Sequence, residues 1–94
     1  MPFEEWLDDL DDQKAVARVL ARLARFRQGN LGDCKSVGEG VSELRVDYGP
    51  GYRVYFGQQG RTLVVLLCGG DKRAQARDIR LAKEYWREFK ESEL

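Results

Sequence analysis

Hydrophobic residues in the first third of the chain recur at the spacing of amphipathic helices. The first stripe, at i, i+3, i+4 and i+7, consists of Phe3, Trp6, Leu7 and Leu10. Asp11 or Asp12 then offers an N-cap for a second helix. The apolar face of that helix comprises Val16, Val19, Leu20, Leu23 and Phe26. Because Gly29 and Asn30 are typical of a helix end, the pattern predicts a helical hairpin over residues 3–28.

The middle of the chain changes to the two-residue alternation of strands. Residues 29–40 contain four glycines and are predicted to form a loop, with a short extended piece near residues 35–37. Alternation then runs through residues 43–48 and, after the Gly49-Pro50-Gly51 turn, through residues 52–56. Apolar side chains occupy one face of these two strands. The other face carries the polar residues Glu43, Arg45, Arg53 and Tyr55.

The last part of the chain predicts one more strand and a helix. Residues 57–60 read as a hairpin loop, and residues 62–68 are nearly all apolar, which predicts a strand buried on both faces. The glycine pair Gly69-Gly70 ends that strand, and Asp71 caps a helix. The apolar stripe of this helix is Ile79, Ala82, Trp86 and Phe89. We therefore expect an α+β fold with an N-terminal helical hairpin, an antiparallel β-sheet meander with the helices on one face, and a C-terminal helix.

Composition restricts the chemistry. With 94 residues the chain fits one domain, residues 1–94, with a modest core. It contains no histidine, which excludes Ser-His and Cys-His pairs, and its two cysteines, Cys34 and Cys68, do not make a usual zinc site. No apolar run reaches a membrane-spanning length, and acidic residues stand where a signal peptide needs an apolar stretch. We expect a cytoplasmic protein without a cofactor or membrane contact.

Charge is balanced overall but unevenly distributed. Residues 1–12 carry six acids and no base, and residues 13–30 carry five bases and no acid. A second basic cluster follows the apolar strand: Lys72, Arg73, Arg77, Arg80 and Lys83, against Asp78 alone. For most of these residues a solvated helix face is a sufficient explanation. The cluster from Lys72 differs because it comes directly after a strand and a glycine pair.

The polar sheet face is the candidate site for chemistry. An arginine, a lysine and a carboxylate can cleave RNA without a metal ion. A base takes the proton of the ribose 2′-OH, the oxygen attacks its own phosphate, and cations stabilise the charge that builds on the phosphoryl oxygens. Arg53, Lys72 and Glu43 supply these groups. The same face also fits an ordinary ladder of salt bridges among Glu43, Arg45 and Arg53.

Two separated motifs resemble those of a known toxin superfamily. They are LRVDYGPGYRVYF at residues 44–56 and LLCGGDKRAQ at residues 66–75. Together they resemble the RelE/ParE superfamily, in particular its HigB-like "addiction module killer" branch. Residues 29–33 and 35–44 match the same branch, so that the resemblance extends from about Phe3 to Ala82.

The resemblance implies a growth-arresting toxin of a type II toxin–antitoxin system. The implied activity is a metal-independent, ribosome-dependent endoribonuclease that cuts mRNA. The implied partners are the ribosome, mRNA and a cognate helix-turn-helix antitoxin, which forms a toxin–antitoxin hetero-oligomer. Two alternatives remain on the same fold: a ParE-like toxin that inhibits DNA gyrase by binding through an exposed helical hairpin, and a degenerate module that only binds its antitoxin.

Residue roles follow from the same resemblance. Arg53 falls where RNA-cutting relatives stabilise the transition-state phosphate, and Lys72, or Arg73 beside it, where they assist the leaving oxygen. Arg45 falls where some relatives have a lysine base, but arginine stays protonated. We therefore expect Arg45 to bind phosphate and Glu43 to act as the base, with Gln75 and Asp78 as second choices. The expected RNA contacts are Lys35, Tyr55, Arg73, Gln75 and Arg77.

The chain departs from the family pattern at its start. Relatives usually have a strand before the Phe-x-x-Trp-Leu helix, whereas this sequence begins at Met1-Pro2-Phe3. The resemblance thus implies an exposed sheet edge that can pair with another chain. Charge separately suggests that an acidic or apolar antitoxin segment contacts Lys72, Arg73 and Arg77.

Overall fold

A computed structural model describes residues 2–61 and 63–93. Its elements are α1 (Pro2–Asp8), α2 (Gln13–Arg27), β1 (Cys34–Gly38), β2 (Val41–Val46), β3 (Tyr52–Gln59), β4 (Leu63–Asp71), a 3₁₀ turn (Lys72–Ala74) and α3 (Gln75–Ser92). The predicted α+β class is confirmed, with its helical hairpin, antiparallel meander and C-terminal helix. Thr62, where the third predicted strand began, lies outside the described residues, as do Met1 and Leu94.

The strands form one antiparallel sheet in the order β1-β2-β3-β4. β1 is a regular edge strand, whereas the sequence predicted only a short extended piece near residues 35–37. It pairs with β2, and its Lys35 is the register partner of Glu43. β3 continues through Gln59, so the predicted loop at residues 57–60 is wrong except for its end. β4 likewise continues past Gly69-Gly70 to Asp71.

Close helix approaches explain why glycines lie inside these strands. A Cβ atom at Gly57 would overlap the Trp86 ring, and one at Gly69 would overlap the Trp6 ring. A Cβ at Gly70 would overlap the Asp78 carboxylate. A strand glycine often marks such a site of close packing, whereas in the sequence it resembles a strand end.

Helices cover both faces of the sheet, so the expectation of helices on one face is wrong. α1 and α2 pack on one face, over a core that includes Val54 and Phe56. α3 packs on the opposite face, over Tyr55 and Val41, through Ala82 and Trp86. The side of the sheet that looked polar in the sequence is therefore largely covered.

The ends of the elements follow their sequence signals. The side chain of Asp12 accepts hydrogen bonds from the backbone N–H groups of Lys14 and Ala15 and caps α2. Asp71 caps the 3₁₀ turn that leads into α3 in the same way. β4 is buried at Leu67, Cys68 and Gly70, while Leu63 and Val64 are exposed. The predicted burial of this strand on both faces is therefore wrong at its start. Over residues 2–61 and 63–93, no helix is both long and apolar enough to cross a membrane.

Gly57→Ala tests the contact between α3 and the sheet. The added methyl group would overlap the Trp86 ring, one of whose atoms, Cζ3, lies 2.7 Å from the Cβ position. Trp86 is almost fully buried and has little room to move. Overpacking of this kind costs about 1–3 kcal/mol. Urea unfolding should show that loss, whereas Gln59→Ala, at an exposed site of the same strand, should unfold like the parent protein.

Candidate functional site

A buried carboxylate organises the centre of the candidate site. Glu43 lies in β2 and is 0% exposed. Its Oε1 accepts a hydrogen bond from Arg45 Nε at 3.1 Å, and its Oε2 accepts one from Gln75 Nε2 at 2.8 Å. Arg53 Nε forms an ion pair with Oε2 at 3.5 Å. One carboxylate thus connects β2, β3 and the first residue of α3.

These contacts determine the ionisation of Glu43. Burial would raise the pKa of its carboxyl group, but the hydrogen bonds from Gln75 and Arg45 and the positive charges of Arg53 and Arg45 lower the pKa by more. The net pKa lies below the ordinary value for Glu, so Glu43 is ionised at neutral pH. A buried, ion-paired carboxylate is better suited to holding cations in place than to taking a proton from a substrate.

Arg53 and Lys72 both lie beside the Gly49-Pro50-Gly51 turn. Arg53, whose side chain is 10% exposed, donates a hydrogen bond from Nη1 to the Gly51 carbonyl oxygen at 3.1 Å. Gly51 has a positive φ of 83°, and a Cβ atom placed on it would lie 3.6 Å from Arg53 Nη1 and 3.8 Å from the Lys72 Cβ. The turn therefore brings the Arg53 guanidinium close to the start of the Lys72 side chain.

Arg45 and Lys35 extend the positive charge across the sheet. The Arg45 side chain is 36% exposed and lies beside Arg53, its register partner on β3. Lys35 is exposed on β1, opposite Glu43. The sequence pattern did not predict a role for Asp33, whose carboxylate lies 4.0 Å from Arg45 Nη1. Asp33 directly precedes β1, and it reaches Arg45 only because β1 pairs with β2. The sequence pattern did not predict that pairing, so it did not predict the contact.

Arg73 and Arg77 lie apart from this group. Both are exposed and line a shallow surface cavity with Asp71 and Ala74. Arg73 forms an ion pair with Asp71 at 3.1 Å, and Arg77 forms one with Asp78 at 3.4 Å. The structure thus groups Lys72 with Arg53, while its neighbour Arg73 points to a second surface.

Tyr55 lies inside the protein. Its side chain is fully buried between the sheet and α3. Burial and the nearby carboxylates of Glu43 and Asp78 raise the pKa of its hydroxyl group. The expectation that Tyr55 points outward to RNA is wrong, because α3 covers this part of the face.

Asp78, a second choice for the base, is also buried. Its Oδ1 is 3.4 Å from Arg77 Nε, and its Oδ2 faces Gly70. Burial raises the pKa of this carboxyl group, and the positive charge of Arg77 offsets only part of that effect. Asp78 and Glu43 therefore have pKa values shifted in opposite directions.

The salt-bridge ladder and the cationic site coexist. The Glu43–Arg45 and Glu43–Arg53 ion pairs are both formed. They neutralise only part of the charge, because among the described residues Glu43 and Asp33 are the only carboxylates that form ion pairs with any of the four cations Lys35, Arg45, Arg53 and Lys72. An excess of cations with fixed guanidinium groups can bind a phosphate or another anion.

Comparison with known proteins identifies relatives of the whole domain. Residues 5–87 match the family model "Phage derived protein Gp49-like (DUF891)". An uncharacterized protein of Haemophilus influenzae is 51% identical over 83 residues, which cover 88% of this chain and 84% of that protein. No solved structure matches the chain significantly. The family is compatible with a toxin of a toxin–antitoxin system. The chain belongs to the phage-derived Gp49-like protein family.

Proposed function

We propose that this protein is the toxin of a toxin–antitoxin pair and arrests growth by cleaving ribosome-bound mRNA without a metal ion. The observation that carries the proposal is that Arg53, which is paired with the buried Glu43 carboxylate and lies beside Arg45, adjoins Gly51 next to the start of the Lys72 side chain. Membership of the Gp49-like family supports the toxin assignment.

The proposed reaction is attack of a ribose 2′-OH on the adjacent phosphate. The O2′–P bond forms and the P–O5′ bond breaks, which leaves a 2′,3′-cyclic phosphate and a free 5′-OH. Arg53 and Arg45 stabilise the negative charge of the transition state, and Lys72 donates a proton to the departing 5′-oxygen. Each well-placed donor of this kind contributes about 10²–10³-fold in rate.

Glu43 acts in this mechanism as a positioning residue. It holds Arg45 and Arg53 through ion pairs and has no exposed surface at which to meet a 2′-OH. The proton of the 2′-OH then passes to solvent. The sequence-based assignment of Glu43 as the base remains a prediction, and the pH dependence of cleavage separates the two roles.

The rate of RNA cleavage is expected to rise with pH. If solvent takes the 2′-OH proton, the logarithm of the rate increases by about one per pH unit between about pH 6 and 8, because the hydroxide that accepts the proton becomes more abundant as the pH rises. With Glu43 as the base the rate would be level over this range, since the pKa of Glu43 is lowered. With Asp78 as the base the rate would level off above that residue's raised pKa. Single-turnover cleavage of a short RNA at each pH distinguishes the three profiles.

The activity itself is tested in a translating extract. Purified protein should cut a reporter mRNA during translation and leave 2′,3′-cyclic phosphate ends, while the same mRNA without ribosomes stays intact. Cleavage of free mRNA at an equal rate would contradict the ribosome requirement. Intact mRNA together with broken DNA would favour gyrase inhibition.

The helical hairpin gives little support to the gyrase alternative. Its apolar residues Phe3, Val19 and Leu23 are buried against the sheet. Among the large apolar residues of α1 and α2 in the described part of the chain, only Leu20 is half exposed.

For the antitoxin, we propose that an acidic segment contacts the exposed Arg73 and Arg77. Charge reversal at both residues should then weaken binding of the antitoxin, and unchanged binding would contradict this contact.

A further inference from the structure

The outer edge of β4 carries most of the exposed apolar surface of residues 2–61 and 63–93. Four large apolar side chains are exposed in this part of the chain, and three of them, Leu31, Leu63 and Val64, lie at or beside the start of β4. β4 is also the last strand of the sheet, so within the described residues no strand pairs with its outer side. An apolar edge of this kind can pair with a strand of another chain.

Two apolar grooves flank this edge, one on each face of the sheet. On the face where α1 and α2 pack, the α2 face, the groove is lined by Leu23, Phe26, Leu31, Val64 and Leu66. On the opposite face, the α3 face, the groove is lined by Val65, Leu67, Tyr85 and Phe89. Successive side chains of a strand point to opposite faces, so an added strand would place alternate side chains in the two grooves.

Helix α1 limits this contact to the first half of β4. A Cβ atom at Gly69 would overlap the Trp6 ring, and Pro2 lines the α3-face groove together with Leu67. The strand is accordingly buried at Leu67, whereas residues 63–66 are exposed or half-buried. Residues 63–66 are therefore the part of the edge that another chain can reach.

Charges of opposite sign lie at the two ends of β4, on the α2 face. The exposed side chains of Arg27 and Arg61 line the groove at the start of the strand. The exposed carboxylates of Glu4, Glu5 and Asp8 lie on α1, which packs over the other end. Within the part of the chain that the structure describes, none of these five groups forms an ion pair.

This arrangement of charge is complementary to itself. A two-fold axis that pairs two β4 strands in the antiparallel direction reverses the second strand. The arginines of each copy then come beside the acidic α1 of the other copy, on the same face of the joined sheet. Parallel pairing would instead put the arginines of both copies at the same end, where like charges repel.

We propose that two copies of this chain associate through residues 63–66 of β4, antiparallel and about a two-fold axis. The sheet then continues from one copy into the other, and Leu31, Val64 and Leu66 of the two copies cover one another. Because the interface is isologous, each ion-pair contact occurs twice. Arg53 pairs with Gly70, in the other half of β4, so the candidate site lies outside this contact.

Sedimentation equilibrium over a series of protein concentrations tests the association. We expect a monomer–dimer equilibrium. Val64→Lys should weaken it by about tenfold or more, because the two-fold axis brings the two added charges close together. Leu20→Lys is the matched control, since Leu20 is an exposed leucine on α2 away from the edge, and it should leave the equilibrium unchanged. A chain that stays monomeric throughout, or equal weakening by the two variants, would overturn the proposal.

Charge reversal tests the direction of pairing. The variants Arg27→Glu/Arg61→Glu and Glu4→Lys/Glu5→Lys each put like charges across both contacts, and each should weaken self-association by about tenfold or more. A mixture of the two has opposite charges across both contacts, so a mixed dimer should form about as tightly as the parental one.

A mixture that associates no better than either variant alone would refute the antiparallel arrangement. Urea unfolding of each variant shows that it is folded. None of these measurements uses RNA, so their outcome is independent of the proposed nuclease activity.

Discussion

Arg53→Ala is expected to abolish growth arrest and to reduce RNA cleavage by about 10²–10³-fold or more. The guanidinium of Arg53 is held at two points, by the Glu43 carboxylate and by the Gly51 carbonyl oxygen. Its direction is therefore fixed before substrate binds, which is the condition under which a cation contributes most to catalysis. Because Lys72 starts beside the same glycine, loss of Arg53 leaves one cation where the proposed mechanism needs two.

The measurement is growth after induced expression, together with single-turnover cleavage by the purified variant. Arg61→Ala is the matched control, since Arg61 is an exposed arginine just beyond β3 and outside the candidate site. Arg53→Lys keeps the charge but loses the planar guanidinium, and should retain part of the activity. Full toxicity of Arg53→Ala would refute the nuclease proposal.

Loss of folding must be separated from loss of catalysis in this variant. Arg53 is largely buried, but after its removal Glu43 still has Arg45 and Gln75 as partners. We therefore expect Arg53→Ala to fold and to bind the antitoxin. A variant that unfolds at a urea concentration close to that of the parent protein, yet does not arrest growth, assigns the effect to the site.

The grouping of Glu43, Arg45 and Arg53 could be predicted from the sequence. Alternation along two strands joined by a short turn places these side chains on one face, and the structure confirms that they share it. What covers that face could not be predicted. A strand pattern shows which residues lie on the same side, but whether α3 packs there depends on contacts such as those of Trp86 with Gly40 and Gly57.

The errors at strand ends have a related cause. Gly57 and the Gly69-Gly70 pair resemble turn residues in the sequence, but each lies where a helix side chain touches the strand. The same tertiary contacts explain Tyr55, which belongs to an alternating polar set and is nonetheless buried. Local propensity describes the strand, whereas the residue that packs on it belongs to another element of the chain.

Glu43→Ala is expected to have the largest effect on stability. It leaves the buried Arg53 and the half-exposed Arg45 without their shared carboxylate, and removes the acceptor of Gln75. Breaking a buried ion pair from one side typically costs about 3–5 kcal/mol. Urea unfolding at pH 7 should show a loss in this range, and Glu91→Ala, at an exposed position near the end of α3, should show little change.

Glu43→Gln separates positioning from catalysis. The amide keeps the size of the side chain and one acceptor oxygen, so the variant should fold with a smaller loss of stability. If Glu43 only positions the arginines, cleavage should fall by about tenfold and its pH profile should keep the shape of the parent's. If Glu43 were the base, the rate should fall by about 10²–10⁴-fold and the profile should change.

The pH dependence of stability gives a second test of the same variant. Because the pKa of Glu43 is lowered on folding, its ionised form stabilises the protein above the ordinary Glu pKa of about 4.3. This contribution is lost as the pH falls through the lower, folded-state pKa. The difference in unfolding free energy between the parent and Glu43→Gln should therefore be constant from about pH 5 to 8 and shrink below about pH 4. A difference that grows as the pH falls would mean that the carboxylate is not stabilised by its arginines, and would remove the basis for Glu43 as the residue that holds Arg53.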